Sequence, residues 1–253
     1  MPLVVRSALV TVIGVALGTF GVLAAGCAGS TGGDTLTVFA AASLTDAFTE
    51  LAEAFERTNP DVEVQFSFAS SSDLARQVVE GAPVAVYASA DTANMDKVTA
   101  AGAAVGTPLA FATNSAEIIV AAGNPLGITG LDDLAERDLV VVVCASEVPC
   151  GAYADQIVER AGVSLTADSF EENVRGVVTK VTLGEADAGI VYRTDVLAAG
   201  DRASGVELPA DVNVVAEYPI VAVSDGGAAD RFVEFVTGPV GQDVLASYGF
   251  GAP

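Results

Sequence analysis

The sequence predicts an α/β protein: a parallel or mixed sheet covered by helices, with enough chain for two lobes joined by more than one crossing. Three observations carry this. From Leu36 onward, short β-type runs alternate with runs of helical period. Two of the strands pass through serine straight into an amphipathic helix, at Val38–Asp46 and Phe66–Leu74. After Asp34 no long repeat or low-complexity linker marks a single boundary.

In chain order, Leu36–Phe39 reads as a strand, and Leu44, Phe48, Leu51 and Phe55 then recur on one helix face until Asn59-Pro60 stops it. Val62, Val64, Phe66 and Phe68 alternate with polar or small residues, the pattern of a half-buried strand. Leu74–Val79 is a short helix ended by Gly81 and Pro83. Val84–Tyr87 is the next strand, with Asp91 placed to cap the segment after it. Glu117–Val120 and Leu139–Val143 are strands, Gly151–Ala161 and Asn173–Leu183 helices, and Ala188–Tyr192 a strand. Val214–Ala216 and Tyr218–Val223 read as a strand pair broken by Pro219. Helix returns around Phe232–Val236 and Val244–Tyr248.

The N-terminus speaks for the compartment. Arg6 gives a small positive region, Ser7–Val22 is almost wholly apolar, and Leu23-Ala24-Ala25-Gly26-Cys27 follows. A transmembrane anchor is the alternative, but the run ends in small residues and lacks a basic stop-transfer flank. The stretch resembles a bacterial lipobox, which implies a leader over 1–26, lipidation of Cys27, and a flexible tether over 27–35. At about 0.8 kcal/mol per buried CH₂, several acyl chains hold a domain firmly at a membrane surface. Removing the leader leaves about 220 residues, enough for two compact lobes.

The chain carries 11 Lys plus Arg against 33 Asp plus Glu, no histidine, and a net charge of -22. That charge repels nucleic acid and anionic headgroups and keeps an extracytoplasmic protein soluble and monomeric. With Cys27 given to lipid, Cys144 and Cys150 remain, six apart. In an exported protein they read as one disulfide, worth about 2 kcal/mol in the loop-entropy model. Zinc wants four N or S ligands, which a chain without histidine or a third free thiol does not supply.

The chemistry centres on the two strand–serine–helix junctions. The first N–H groups of a helix lack intrahelical partners and carry about half a positive charge, so they suit an anion, and serine adds a hydroxyl donor. Taken alone, Ser43, with Asp46 three residues on, reads first as an N-cap, as does the Ser70-Ser71-Ser72 run before Leu74. Duplication favours binding, because two such junctions on adjacent strands open at one carboxyl edge of a sheet. Catalysis fares worse. A nucleophilic serine has no histidine base here, Lys97 and Lys180 sit in no recognisable motif, and no Walker loop or dinucleotide fingerprint is present.

Val38–Leu44, Phe68–Ser72 with Leu74–Gln77 and Gly81–Pro83, Val148–Gly151, Val174–Gly176, Gly189–Tyr192 and Tyr248–Phe250 together resemble the periplasmic molybdate-binding proteins of ABC importers. The likeness runs in order from about Leu36 to Phe250. It implies the two-lobe type II periplasmic binding protein fold, with the ligand in the interlobe cleft, one lobe from 36–113 plus 218–253 and the other from 114–217. It implies capture of molybdate or tungstate as an oxyanion, with no cofactor and no direct metal-ion ligand, and delivery to a membrane permease.

Position by position, the resemblance implies that Ser43 and Ser71 donate through hydroxyl and backbone N–H. Cys150 and Val174 would donate backbone N–H, and Tyr192 its phenol. Tyr192 reads alternatively as a packing residue whose OH bonds locally. Arg175 is not a direct ligand. The chain departs from the family pattern at Pro83-Val84-Ala85, where the usual acidic residue is missing, and at Cys150, where alanine is usual. Donors without acceptors reject protonated anions such as hydrogen phosphate. Sulfate remains the alternative ligand, since its exclusion depends on cavity size, and a secreted serine hydrolase is the rival from another class.

Overall fold

The computed structural model of the chain describes residues 34–136 and 138–253. The expected leader, the lipidation site Cys27 and all but the end of the tether lie outside the described residues. No helix among the described residues is long and apolar enough to cross a membrane.

The first half begins with β1 (Asp34–Ala41), a 3-10 turn (Ala42–Leu44) and α1 (Thr45–Thr58), followed by β2 (Val62–Ala69), α2 (Ser71–Val79), β3 (Val86–Ala88) and α3 (Thr92–Ala100). β1 lies between β2 and β3, parallel to both. The apolar stripe of α1 does what its period predicts: Phe48, Leu51 and Phe55 are fully buried, and Phe48 and Phe55 set their rings against Phe232, with centroids 6.3 and 5.2 Å away. α8 (Gly227–Thr237) and α9 (Pro239–Ser247) return at the C-terminus to pack on α1.

The second half comprises α4 (Leu131–Glu136), β5 (Val141–Cys144), α5 (Pro149–Ala161), β6 (Ser169–Glu171), α6 (Val174–Leu183), β7 (Ala188–Tyr192), α7 (Arg193–Ala199) and β8 (Ala203–Glu207). β5 is parallel to β6 and to β7. Ile118, Val120, Val141, Val143, Ile157 and Ile190 fill a core of its own.

Two long antiparallel strands run between the halves: β4 (Val105–Ala121) and β9 (Val215–Ala222). β9 pairs with β3 on one side and β4 on the other, while the end of β4 pairs with β7 over 116–120 and with β8 over 117–121. The strand order is β2-β1-β3-β9-β4-β7-β5-β6, with β8 on β4. The two parallel-stranded groups therefore sit on either side of a shared antiparallel pair. Their carboxyl ends open toward the same place.

The structure corrects the reading around Pro219. Val214–Ala216 and Tyr218–Val223 are not a broken pair but, over Val215–Ala222, one continuous strand. The register of β4 against β9 shifts between Ala110 and Ala112, at the residue paired with Pro219, so the missing N–H falls at a bulge. β4 is also far longer than Glu117–Val120, because pairing with β9 carries it through a Gly-Thr-Pro segment with no apolar alternation. The sequence pattern does not reveal β6, β8, α4 or α7. Each is three to seven residues long, too short to display a period.

Candidate functional site

A small cavity of about 20 Å³ lies where the carboxyl ends of the two strand groups face each other. Its walls include Ser43 and Ser71 from the first half and Cys150, Val174 and Tyr192 from the second, so all five residues singled out from sequence meet there. Alanines 41, 42, 69 and 90 with Val148 and Pro149 form much of the rest, and no charged side chain lines it. The space suits a compact ion with one shell of oxygens rather than a sugar or peptide.

Ser43 sits in the 3-10 turn between β1 and α1, where its side chain caps nothing: the N-cap of α1 is Leu44, without a side-chain hydrogen bond. The Ser43 hydroxyl instead pairs with the Tyr218 hydroxyl at 3.0 Å. In the second junction the capping falls to Ser70, whose Oγ accepts from the Asp73 N–H at 3.2 Å and donates to Asp73 Oδ2 at 2.8 Å. This leaves Ser71, 1 % exposed, at the first helical position. Its Oγ accepts from the Ala90 N–H at 2.9 Å, so its proton remains to be donated.

The second half presents helix N-termini. Pro149 opens α5 and has no N–H, which makes Cys150 the first amide of that helix. Cys150 is bonded to Cys144 at the end of β5, with Cα atoms 5.7 Å apart. A Cβ at Gly151 would overlap the carbonyl oxygens of Ala145 and Cys144, so only glycine lets the first turn of α5 lie this close to the strand end. In α6, Asn173 is the N-cap. Its Oδ1 accepts from the N–H groups of Arg175 and Gly176, and the Val174 N–H is the one in that first turn that this cap leaves over.

Tyr192 closes β7 and is 3 % exposed. Its hydroxyl is the one buried side-chain polar atom among the described residues with no hydrogen-bond partner. A buried, unpaired phenol is costly, and the reading of Tyr192 as a packing residue with a local bond does not account for it. Burial, reinforced by Tyr218, Tyr153, Asp195 and Asp91, pushes the phenol well above its ordinary value, so it stays a donor.

Arg175 turns away from the cavity and pairs with Asp46 of α1 at 2.7 Å, joining the two halves at the rim. At Pro83-Val84-Ala85, where the resemblance leads one to expect an acidic residue, the Ala85 N–H donates to Thr37 O at 2.8 Å and its carbonyl accepts from the Val223 N–H at 2.8 Å. No group of three or more His, Cys, Asp or Glu residues suited to a metal ion occurs among the described residues.

Three further residues near the site are not among those singled out from sequence. Asn173 lines the cavity as a cap, a role its position before an apolar helix signals. Tyr218 gives no sequence signal beyond a β-strand aromatic. Asp195 is 1 % exposed behind Tyr192, accepting from the Tyr192 N–H at 3.1 Å. Burial pushes its carboxyl up to about 7, against the lowering effects of that N–H and of Arg175.

Two groups of strands whose facing carboxyl ends meet at a cavity lined by hydrogen-bond donors, joined by two crossing strands, define the type II solute-binding protein fold. The chain belongs to the bacterial extracellular solute-binding protein family, whose sequence pattern matches residues 36–251. It is 44% identical over 225 residues to the molybdate-binding protein ModA of Mycobacterium tuberculosis, covering 88% of this chain and 86% of that one. The fold matches the periplasmic molybdate-binding protein of Azotobacter vinelandii, with a TM-score of 0.77 at 21% identity over 86% of this chain and 99% of that one. It matches the sulfate-binding protein SubI of Mycobacterium tuberculosis equally, with a TM-score of 0.77 at 19% identity over 86% of each. Members of the family bind solutes rather than transform them, so the chain is not an enzyme, and the serine hydrolase reading falls.

Proposed function

We propose that the chain captures molybdate, and tungstate with it, in the cavity between lobe 1 (36–113 with 218–253) and lobe 2 (114–217), and hands it to the permease of an ABC importer. The observation that carries this reading is the buried, unpartnered Tyr192 hydroxyl in a cavity of neutral donors. Ser43 and Ser71 would give hydroxyl and amide hydrogens, Cys150 and Val174 amides at helix N-termini, and Tyr192 the phenol. Fixed donors in a dry site stabilise a dianion strongly, because little has to reorganise when it arrives. The similarity to molybdate-binding relatives supports the choice of ion.

The Leu23–Cys27 pattern supports attachment by a lipid on Cys27 at the outer face of the cell membrane, and the net charge of -22 supports a monomer. Sulfate is the second reading, since it has the same charge and shape and a sulfate-binding protein shares the fold. Calorimetric titration with molybdate, tungstate, sulfate and phosphate separates the two. Tight binding of the first two, weak binding of sulfate and no heat from phosphate is the expected result. Equal affinity for sulfate, or no heat from molybdate, would overturn it.

A further inference from the structure

Beneath Ser43 lies a buried polar chain that contributes no donor of its own to the cavity. Asn114 on β4 and Tyr218 on β9 are 4 % and 0 % exposed, and Thr194 at the start of α7 is 4 % exposed. Asn114 Oδ1 accepts from the Ser115 N–H at 3.1 Å, which fixes the amide nitrogen on the other side. That nitrogen lies 2.8 Å from Thr194 Oγ1 and 3.4 Å from Tyr218 Oη. The hydrogen bond between Ser43 and Tyr218 could by geometry run either way. A carboxamide nitrogen only donates, so Tyr218 accepts from Asn114, and Ser43 Oγ is the one acceptor among the described residues within reach of the buried phenol's own proton, which favours donation from Tyr218 to Ser43.

We propose that Asn114 and Tyr218 are positioning residues that hold Ser43 as a donor into the cavity, by occupying its oxygen from behind so that its own proton points at the bound anion. This rests on the oxyanion-binding reading of the cavity. The arrangement parallels Ser71, whose oxygen is occupied by the Ala90 N–H. Both first-lobe hydroxyls are thereby turned outward by a donor behind them. Burial drives the Tyr218 phenol far above its ordinary value, so it keeps the proton the relay needs at any working pH. Asn114 and Tyr218 lie on the two crossing strands, and Thr194 ties the same amide to the second lobe. The relay therefore connects Ser43 to both halves of the molecule.

The test is a double-mutant cycle on the full chain, read as molybdate affinity by calorimetry. Tyr218→Phe should weaken binding about 10-fold and Asn114→Ala about 3-fold, as expected for losing one net hydrogen bond or a longer, weaker one. In a Ser43→Ala background both losses should vanish, because there is no hydroxyl left to orient. A residue that only supports the fold would cost the same factor in both backgrounds, and that result would overturn the relay, as would wild-type affinity in both single variants. Circular dichroism shows which variants fold, and either one alone completes a cycle. If the unmodified chain binds no molybdate, the reading of the cavity itself falls; if it binds and the losses add, only the relay does.

Discussion

On the proposed reading, the two sides of the cavity offer a bound anion the same kind of hydrogen bond by different means. The first half uses serine side chains whose orientation depends on buried neighbours, Tyr218 behind Ser43 and the Ala90 N–H behind Ser71. The second half uses the peptide backbone at two helix starts, held by a disulfide at Cys150 and by the Asn173 cap before Val174, together with one phenol. A side-chain donor is lost with its residue. A backbone donor survives substitution as long as the helix start stays in place, so cysteine can stand at position 150 where the resemblance leads one to expect alanine.

Substitutions can break this contrast. The largest effect on affinity is expected at Tyr192, the second half's one side-chain donor. Tyr192→Phe should weaken molybdate binding by about 1.5 to 3 kcal/mol, the range for hydrogen bonds to a charged group. It should leave the unliganded protein as stable as before or more so, since the orphaned hydroxyl is gone. Calorimetry and thermal melts give both numbers, and unchanged affinity would return Tyr192 to a packing role. Ser43→Ala and Ser71→Ala should each lose about 1 to 3 kcal/mol of affinity. They should differ in stability, because Ser71→Ala also strands the buried Ala90 N–H.

A pH effect ranks after these. The unfolded chain releases the Asp195 proton near 3.8, whereas the folded protein holds it to about 7. A raised carboxyl means that stability from this group is complete below the unfolded value and declines as pH rises toward 7, then stays level. Asp195→Asn removes that decline, so its stability advantage should grow by about 1 to 3 kcal/mol between pH 5 and pH 8. A pH-independent difference between the two melting curves would contradict the buried carboxylate.

Replacing Cys144 and Cys150 by serine should cost about 2 kcal/mol of stability but leave most of the affinity, because the amide at position 150 remains. Val174→Ala should show the smallest change of all in affinity. Its cost, about 1 kcal/mol, belongs to the lost core packing of a residue 2 % exposed. A large loss of affinity there would mean that the side chain, not the amide, is what the site needs.

Much of this contrast is legible in the sequence, for reasons that differ by element. The α1 stripe and the alternation of β2 are periodic, and periodicity survives any tertiary setting. Ser43 and Ser71 stand at strand-to-helix junctions, where chain order alone brings donors to a sheet edge. The choice between capping and binding is not legible. It depends on Ser70 taking the cap of α2 and on Tyr218, 175 residues away in sequence, taking the Ser43 hydroxyl. Asp195 is invisible because nothing local distinguishes a buried aspartate from the many exposed ones. β4 and β9 are misread from sequence because their pairing, with a bulge opposite Pro219, is a tertiary fact that overrides composition.

The most direct test is a crystal structure grown with molybdate, using anomalous scattering from molybdenum to locate the ion. A single peak inside the cavity is predicted, with its oxygens within hydrogen-bond distance of the Ser43 and Ser71 hydroxyls, the Cys150 and Val174 amides and the Tyr192 phenol. A peak elsewhere, or one in the cavity that leaves the Tyr192 hydroxyl unpaired, would contradict the account.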